Sequence, residues 1–256
     1  MSAAPESRFS DRVADYVRAR PGYPTAELAA ALRDLIGLAP PARVADVGAG
    51  TGLSTIALRQ AGFDVIAVEP NDAMRVAGEA LLAGDAGVRW QPGTAEATGL
   101  PDASVDALVA AQAFHWFDPP RARAEALRVL SPAAAGAALV WNQRRLTGSA
   151  FLEGYEALLV EFGTDYAAVR HDHRDVGRLE AFFGPSGWRE RVLRNAQRLD
   201  RAGFIARLLS SSYTPAADHP RRAPMLDAAH ALFDATSHDG EVDITYDLRV
   251  IAGAMR

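Results

Sequence analysis

The chain has 256 residues, 49% of them hydrophobic, and a formal net charge of -5 at pH 7. A chain of this size and apolar content buries a full core and suits one large domain or a domain with a grafted subdomain. The acidic balance argues against an electrostatic grip on nucleic acid or on an anionic membrane, both of which need a basic face. All 27 basic residues are Arg, so no lysine exists to form a Schiff base or to serve a Walker-type phosphate loop. The absence of Cys removes disulfides, thiolate nucleophiles and Cys-based zinc sites. The opening MSAAPESRFSDRVADYVRARPGYP carries acids and arginines where a signal peptide needs an apolar stretch. No run approaches the roughly 18 apolar residues of a membrane span, and the expected location is the cytoplasm.

From Arg43 onward strands and helices alternate. Arg43–Val47 is a short β-rich run, 51–60 reads as a helix, 65–69 as a buried strand, and 72–82 as a helix capped by Asn71. Val88–Gln91 and 105–111 are further strands. Asp118 then caps a helix that runs to Leu130, with Pro119 and Pro120 in its first turn. Residues 137–141 make a fifth strand. This alternation specifies a parallel sheet covered on both faces, with ligands at the carboxyl ends of the strands. Beyond it, 149–162 reads as a helix, 170–178 as a polar loop, 188–199 as a strand, and 201–209 and 224–233 as amphipathic helices. SSSYTPAADHP between those helices is a loop by composition. Val242, Ile244, Tyr246, Leu248 and Val250 alternate with polar residues, a strand pattern. The C-terminal strands should therefore complete the sheet, with a helical cap between them. The segment before Pro40 should form a helical lid.

Gly48, Gly50 and Gly52 sit between the first strand and a helix, where the backbone must turn tightly and approach a ligand without a Cβ in the way. Their alternate spacing differs from the G-x-G-x-x-G of dinucleotide sites. Glu69, at the end of the second strand, can accept both hydroxyls of a ribose. The pair points to adenosine without demanding phosphate.

VADVGAGTG, the Glu69 strand end, GTAEATGLP (93–101) and VDALVAAQAFHWF, in that order, resemble class I S-adenosylmethionine-dependent methyltransferases of the methyltransferase type 11 kind over roughly residues 40–145. FSDRVADYVRARPGYP and AFHWF are further similar to a small-molecule subset that includes the trans-aconitate methyltransferases. The resemblance implies an α/β fold: a doubly wound, mostly parallel seven-stranded Rossmann-like sheet with an antiparallel C-terminal strand and a helical cap. The chain divides accordingly into an N-terminal lid (1–39), a cofactor-binding core (40–145) and a C-terminal part with the substrate cap (146–256).

By the same resemblance, Asp46 and the backbone of Gly48, Ala49 and Gly50 hold the methionine end of S-adenosyl-L-methionine, Glu69 takes the ribose, and Pro70 and Met74 flank the adenine. Thr94 replaces a common aspartate at the adenine amino group, and the Ala95 amide meets the ring. Gln112, Phe114, His115 and Trp116 line the gap between cofactor and substrate, while Tyr16, Arg20 and Tyr23 close over the site, Tyr23 towards the substrate.

For His115, packing beside the cofactor is the favoured reading, and it is the candidate catalytic base where the acceptor needs one. An aromatic at 114, 116 or 117 can face the sulfonium. Arg144, paired in sequence with Arg145, can grip an acidic substrate and Tyr213 can offer a hydroxyl, although surface solvation is the more common fate of such an arginine pair and a plain loop of such a serine cluster. His171-Asp172-His173-Arg174-Asp175 lacks the next histidine of a metallohydrolase cluster, and no metal is expected. The implied reaction is in-line methyl transfer to an oxygen or nitrogen, less readily carbon or sulfur, of a small molecule, yielding S-adenosyl-L-homocysteine. A monomer or homodimer is expected. An NAD(P)-dependent oxidoreductase and a non-catalytic nucleotide-binding scaffold are the rival classes.

Overall fold

The computed structural model describes residues 19–166 and 175–255. Strands β1 (Arg43–Val47), β2 (Asp64–Val68), β3 (Val88–Gln91), β4 (Ala107–Ala111), β5 (Gly136–Arg144), β6 (Arg189–Asp200) and β7 (Glu241–Gly253) form one sheet in the order β3-β2-β1-β4-β5-β7-β6. The pairs among β1 to β5 are parallel, and β7 runs antiparallel to both β5 and β6. The chain winds outward from β1 in one direction through β2 and β3, then returns to β1 and winds the other way through β4. That reversal opens a crevice at the carboxyl ends of β1 and β4. The seven-stranded α/β sheet with an antiparallel last strand is the one expected.

Because successive strand residues face opposite sides, each strand feeds two cores. Ala45, Val47, Leu108, Ala110, Leu139 and Trp141 pack with Ala122, Ala126 and Val129 of helix α4 (Pro119–Val129) and with Leu179, Phe182 and Phe183 of α6 (Val176–Phe183). Val44, Val65, Val109, Val140 and Val250 pack on the other side with Leu28 and Leu32 of α1 (Thr25–Ile36) and Ala57 and Leu58 of α2 (Leu53–Gln60). The described part of the expected N-terminal lid thus includes a core helix, and Tyr16 lies outside the described residues. Between β2 and β3, α3 (Asp72–Leu81) starts at Asn71, whose side chain accepts from Met74 N at 3.0 Å, the cap expected there.

A third apolar cluster builds the cap. Phe151, Tyr155 and Leu159 of α5 (Ala150–Phe162), Phe204 and Leu208 of α7 (Arg201–Leu209), and Met225 and Phe233 of α8 (Arg222–Thr236) gather over Val242, Ile244 and Tyr246 at the start of β7.

One element departs from the sequence reading. Residues 176–178, expected within a polar loop, open helix α6, which Asp175 caps by accepting from Arg178 N at 3.1 Å. The charged residues before it hide the short apolar face of Leu179, Phe182 and Phe183. His171 to Arg174 lie outside the described residues.

Candidate functional site

A cavity of about 230 Å³ opens at the carboxyl ends of β1, β2 and β4. Of the residues singled out by sequence, Tyr23, Gly48, Ala49, Gly50, Glu69, Pro70, Met74, Thr94, Ala95, Gln112 and Trp116 line it. Phe117, one of the aromatics expected near the sulfonium, lines it too, as do Thr51, Ser54, Asn71 and Glu96, which sequence reasoning did not single out for that wall.

The turn after β1 is built for close approach. Gly48 has φ 72°, and a Cβ placed on it would lie 2.5 Å from the Ala113 Cβ, so no larger residue fits. Its amide and that of Ala49 donate to Val68 O at 2.8 and 3.1 Å, which clamps the turn to β2. Glu69 tightens the clamp: its Oε2 accepts from Gly50 N and its Oε1 from Asn71 N, each at 2.8 Å. Each carboxylate oxygen keeps further acceptor capacity.

Asp46, one residue before the end of β1, is fully buried and does not itself line the cavity, although Ser54, which it binds, does. Its Oδ2 accepts from the hydroxyls of Ser54 and Thr55, both at 2.7 Å, one turn into α2. Its Oδ1 has no hydrogen-bond partner among the described residues, and neither does the buried hydroxyl of Thr51. Burial pushes the Asp46 carboxyl up to about 6, against the lowering pull of the Thr55 and Ser54 hydroxyls. A buried acceptor left over in a glycine cradle suits a cationic hydrogen-bond donor such as an α-ammonium.

The loop that carries Thr94, Ala95 and Glu96 is pinned from behind. Thr94 and Ala97 exchange backbone hydrogen bonds at 3.1 and 3.3 Å. The Thr98 amide and hydroxyl donate to Glu125 Oε1 on α4 at 2.8 and 2.6 Å. Arg128, which also donates to Glu125, is the main cause holding that carboxyl down to about 2.

Beyond β4, Gln112 adopts φ 59° on the wall, a left-handed conformation that a non-glycine residue adopts at a cost and that often marks functional sites. A short helical turn, Phe114–Trp116, follows. Here the structure corrects the sequence reading, because Phe114 is buried, edge-on to Trp141 and Phe182, and does not reach the cavity. Helix α6, missed from sequence, is the cause: it contributes Phe182 to this packing, and Arg178 donates to the carbonyls of Phe114 and Phe117 at 3.1 and 2.7 Å. His115 is exposed and off the wall, its ring 4.6 Å from that of Trp116. Trp116, 45% exposed, and the buried Phe117 are the aromatics of this stretch that line the cavity.

Arg20, Arg144 and Tyr213 gather elsewhere. Arg20 donates to Ser210 O at 3.0 Å in the cap. Arg144 is buried against Glu156 and Tyr166 at 2.5 and 2.9 Å, and Tyr213 packs on Tyr166 with ring centroids 5.0 Å apart. The surface fate weighed for Arg144 does not occur.

Residues 45–137 match the methyltransferase domain family. An uncharacterized methyltransferase of Mycobacterium tuberculosis (strain H37Rv) is 43% identical over 136 residues, 53% of this chain and 52% of the relative. One from Schizosaccharomyces pombe is 34% identical over 137 residues, 53% of each. The match thus spans about half the length of these curated relatives. Among solved structures, a provisionally assigned type II methyltransferase from Anaeromyxobacter dehalogenans superposes with a TM-score of 0.67 at 26% identity, over 92% of this chain and 98% of that one. A protein from Anabaena variabilis, described as a methyltransferase of an antibiotic biosynthesis pathway, shares the fold with a TM-score of 0.59 at 22% identity, over 93% and 98%.

Proposed function

We propose that the chain, whose residues 45–137 match a methyltransferase domain, is a class I S-adenosylmethionine-dependent methyltransferase that methylates an oxygen or nitrogen nucleophile of a small molecule. The observation that carries the reading is the unpaired, buried Asp46 Oδ1 beside a glycine cradle that Glu69 holds shut. It supports a ligand with a cationic amine at one end and a diol further along, without a phosphate. S-adenosyl-L-methionine, when bound, supplies a methyl group already activated on positive sulfur.

The chain's own residues then have three tasks. Asp46 and the backbone of Gly48, Ala49 and Gly50 hold the amino-acid end, and Glu69 accepts from the ribose hydroxyls. Pro70, Met74, Thr94 and Ala95 enclose the adenine. Gln112, Tyr23 and Trp116 shape the side from which the acceptor arrives, aligning it and excluding water, which are the main protein contributions to such a displacement. The exposed His115 steadies the Trp116 ring in this reading; transfer of the acceptor proton to it is the alternative.

Calorimetric titration separates this reading from the oxidoreductase and the inert scaffold. S-adenosyl-L-homocysteine should bind and NADH should not; NADH binding alone would contradict the proposal. No helix among the described residues is long and apolar enough to cross a membrane, and the acceptor is proposed to be a small molecule.

A further inference from the structure

Beneath the cap lies a second polar cluster that the cofactor reading leaves unused. Arg207 on α7 is 5% exposed. Its Nε donates to the Tyr246 hydroxyl at 3.4 Å and its Nη1 to Ser211 Oγ at 3.0 Å. Among the described residues no carboxylate pairs with it, whereas the equally buried Arg249 is paired with Glu190. Arg144, at the end of β5, spends Nη2 on Glu156 and Tyr166, but among the described residues its buried Nη1 has no hydrogen-bond partner. The fully buried Tyr155 hydroxyl has none either, and the Arg144 guanidinium lies over the Tyr155 ring at 4.7 Å from its centroid.

A buried guanidinium that, among the described residues, hydrogen-bonds only to hydroxyls, together with a second one whose Nη1 is idle, is costly to the fold. The same arrangement is a good receptor for a planar or tetrahedral oxyanion, which takes paired N–H bonds from arginine and O–H bonds from tyrosine. We propose that Arg207 and Arg144, with the hydroxyls of Tyr155 and Tyr213, seat a carboxylate or phosphate head of the methyl acceptor. The proposal rests on the methyltransferase reading. Burial alone would raise the Tyr213 phenol, yet Arg207, the Ser211 hydroxyl, Arg20 and Arg144 together hold it below its ordinary value, so the positive charges converge on one place.

The position fits an anchor rather than the methylated atom. Gln112 on the cavity wall donates to Asn142 O at 3.4 Å, and Arg144 lies further along that strand, past the level where Val140 pairs with Ala111. The acceptor therefore carries its anionic head away from its nucleophile.

The test follows the thermal midpoint of the full chain in millimolar acetate, inorganic phosphate or chloride at equal ionic strength, with wild type, Arg207→Met and Arg207→Gln. Acetate or phosphate should raise the wild-type midpoint by several degrees over chloride, and the larger effect tells a carboxylate head from a phosphate head. Both variants should lose that increment and, in chloride, match or exceed the wild-type midpoint, as expected when an uncompensated buried charge is removed. No increment in wild type, an increment retained in the variants, or variants that unfold in chloride would each overturn the proposal. Failure of the wild type to bind S-adenosyl-L-homocysteine in a separate titration would instead overturn the methyltransferase reading.

Discussion

The carboxylate of Glu69 reaches across from the end of β2 to accept the amide of Gly50 at 2.8 Å, so one side chain both shapes the glycine turn and faces the cavity that the turn borders. The residue assigned to the ribose is therefore also a brace. Glu69→Ala should weaken S-adenosyl-L-homocysteine binding by about 1–3 kcal/mol, the range for losing a charged acceptor, and should lower the thermal midpoint of the ligand-free protein. Glu69→Gln keeps one acceptor oxygen and should lose less of both. Calorimetry and thermal melts on the two variants check this; cofactor affinity equal to wild type in Glu69→Ala contradicts the assignment.

Asp46 predicts a pH dependence. Its folded value of about 6 lies above the ordinary 3.8, so the group favours folding in full below 3.8 and that contribution is lost as pH rises through 6. Above pH 7 the ligand-free protein carries a buried carboxylate that costs about 3 kcal/mol, at about 1.36 kcal/mol for each unit. Asp46→Asn should raise the thermal midpoint at pH 7.5 while weakening S-adenosyl-L-homocysteine binding. In wild type that affinity should be level above pH 7 and approach a tenfold fall per unit below 6, and a flat profile from pH 5 to 8 removes Asp46 from the ammonium site.

Glu125 behaves in the opposite sense. Its folded value of about 2 lies below the ordinary 4.5, so the stability it contributes is present above 4.5 and is lost as pH falls towards 2. Glu125→Gln should cost about 1–2 kcal/mol in urea unfolding at pH 7, a figure reduced for the solvent around Arg128, and the gap to wild type should close in acid. The loop of Thr94 and Ala95 should exchange its amides faster in the variant.

Trp116 and His115 separate by role. Trp116→Ala should raise the acceptor KM with little change in S-adenosyl-L-homocysteine affinity. His115→Asn should leave the shape of the pH–rate profile for methyl transfer intact; loss of a limb near neutral pH would instead identify the imidazole as the base.

Much of this site was legible because its signals are local. The three alternating glycines follow a five-residue strand, and Asn71 and Asp118 are caps written in the sequence just before their helices. The parallel core of the sheet follows from the alternation of strands and helices, whereas its strand order does not. What escaped depends on long-range packing. The burial of Phe114 needs α6 from 62 or more positions later in the chain, where Arg178 takes its carbonyl. The pinning of Thr98 by Glu125 joins a loop to a helix whose exposed-looking acid gives no hint of its partner. Arg207 read as one charge on an amphipathic helix, and only the folding of α5, α7 and β7 onto one another encloses it.

A crystal structure of the chain with S-adenosyl-L-homocysteine tests the central claim most directly. The account predicts the ribose hydroxyls within hydrogen-bonding distance of Glu69 and the amino group within reach of Asp46 Oδ1. An adenosyl group bound away from the Gly48–Gly50 turn, or one whose ribose does not meet Glu69, would contradict it.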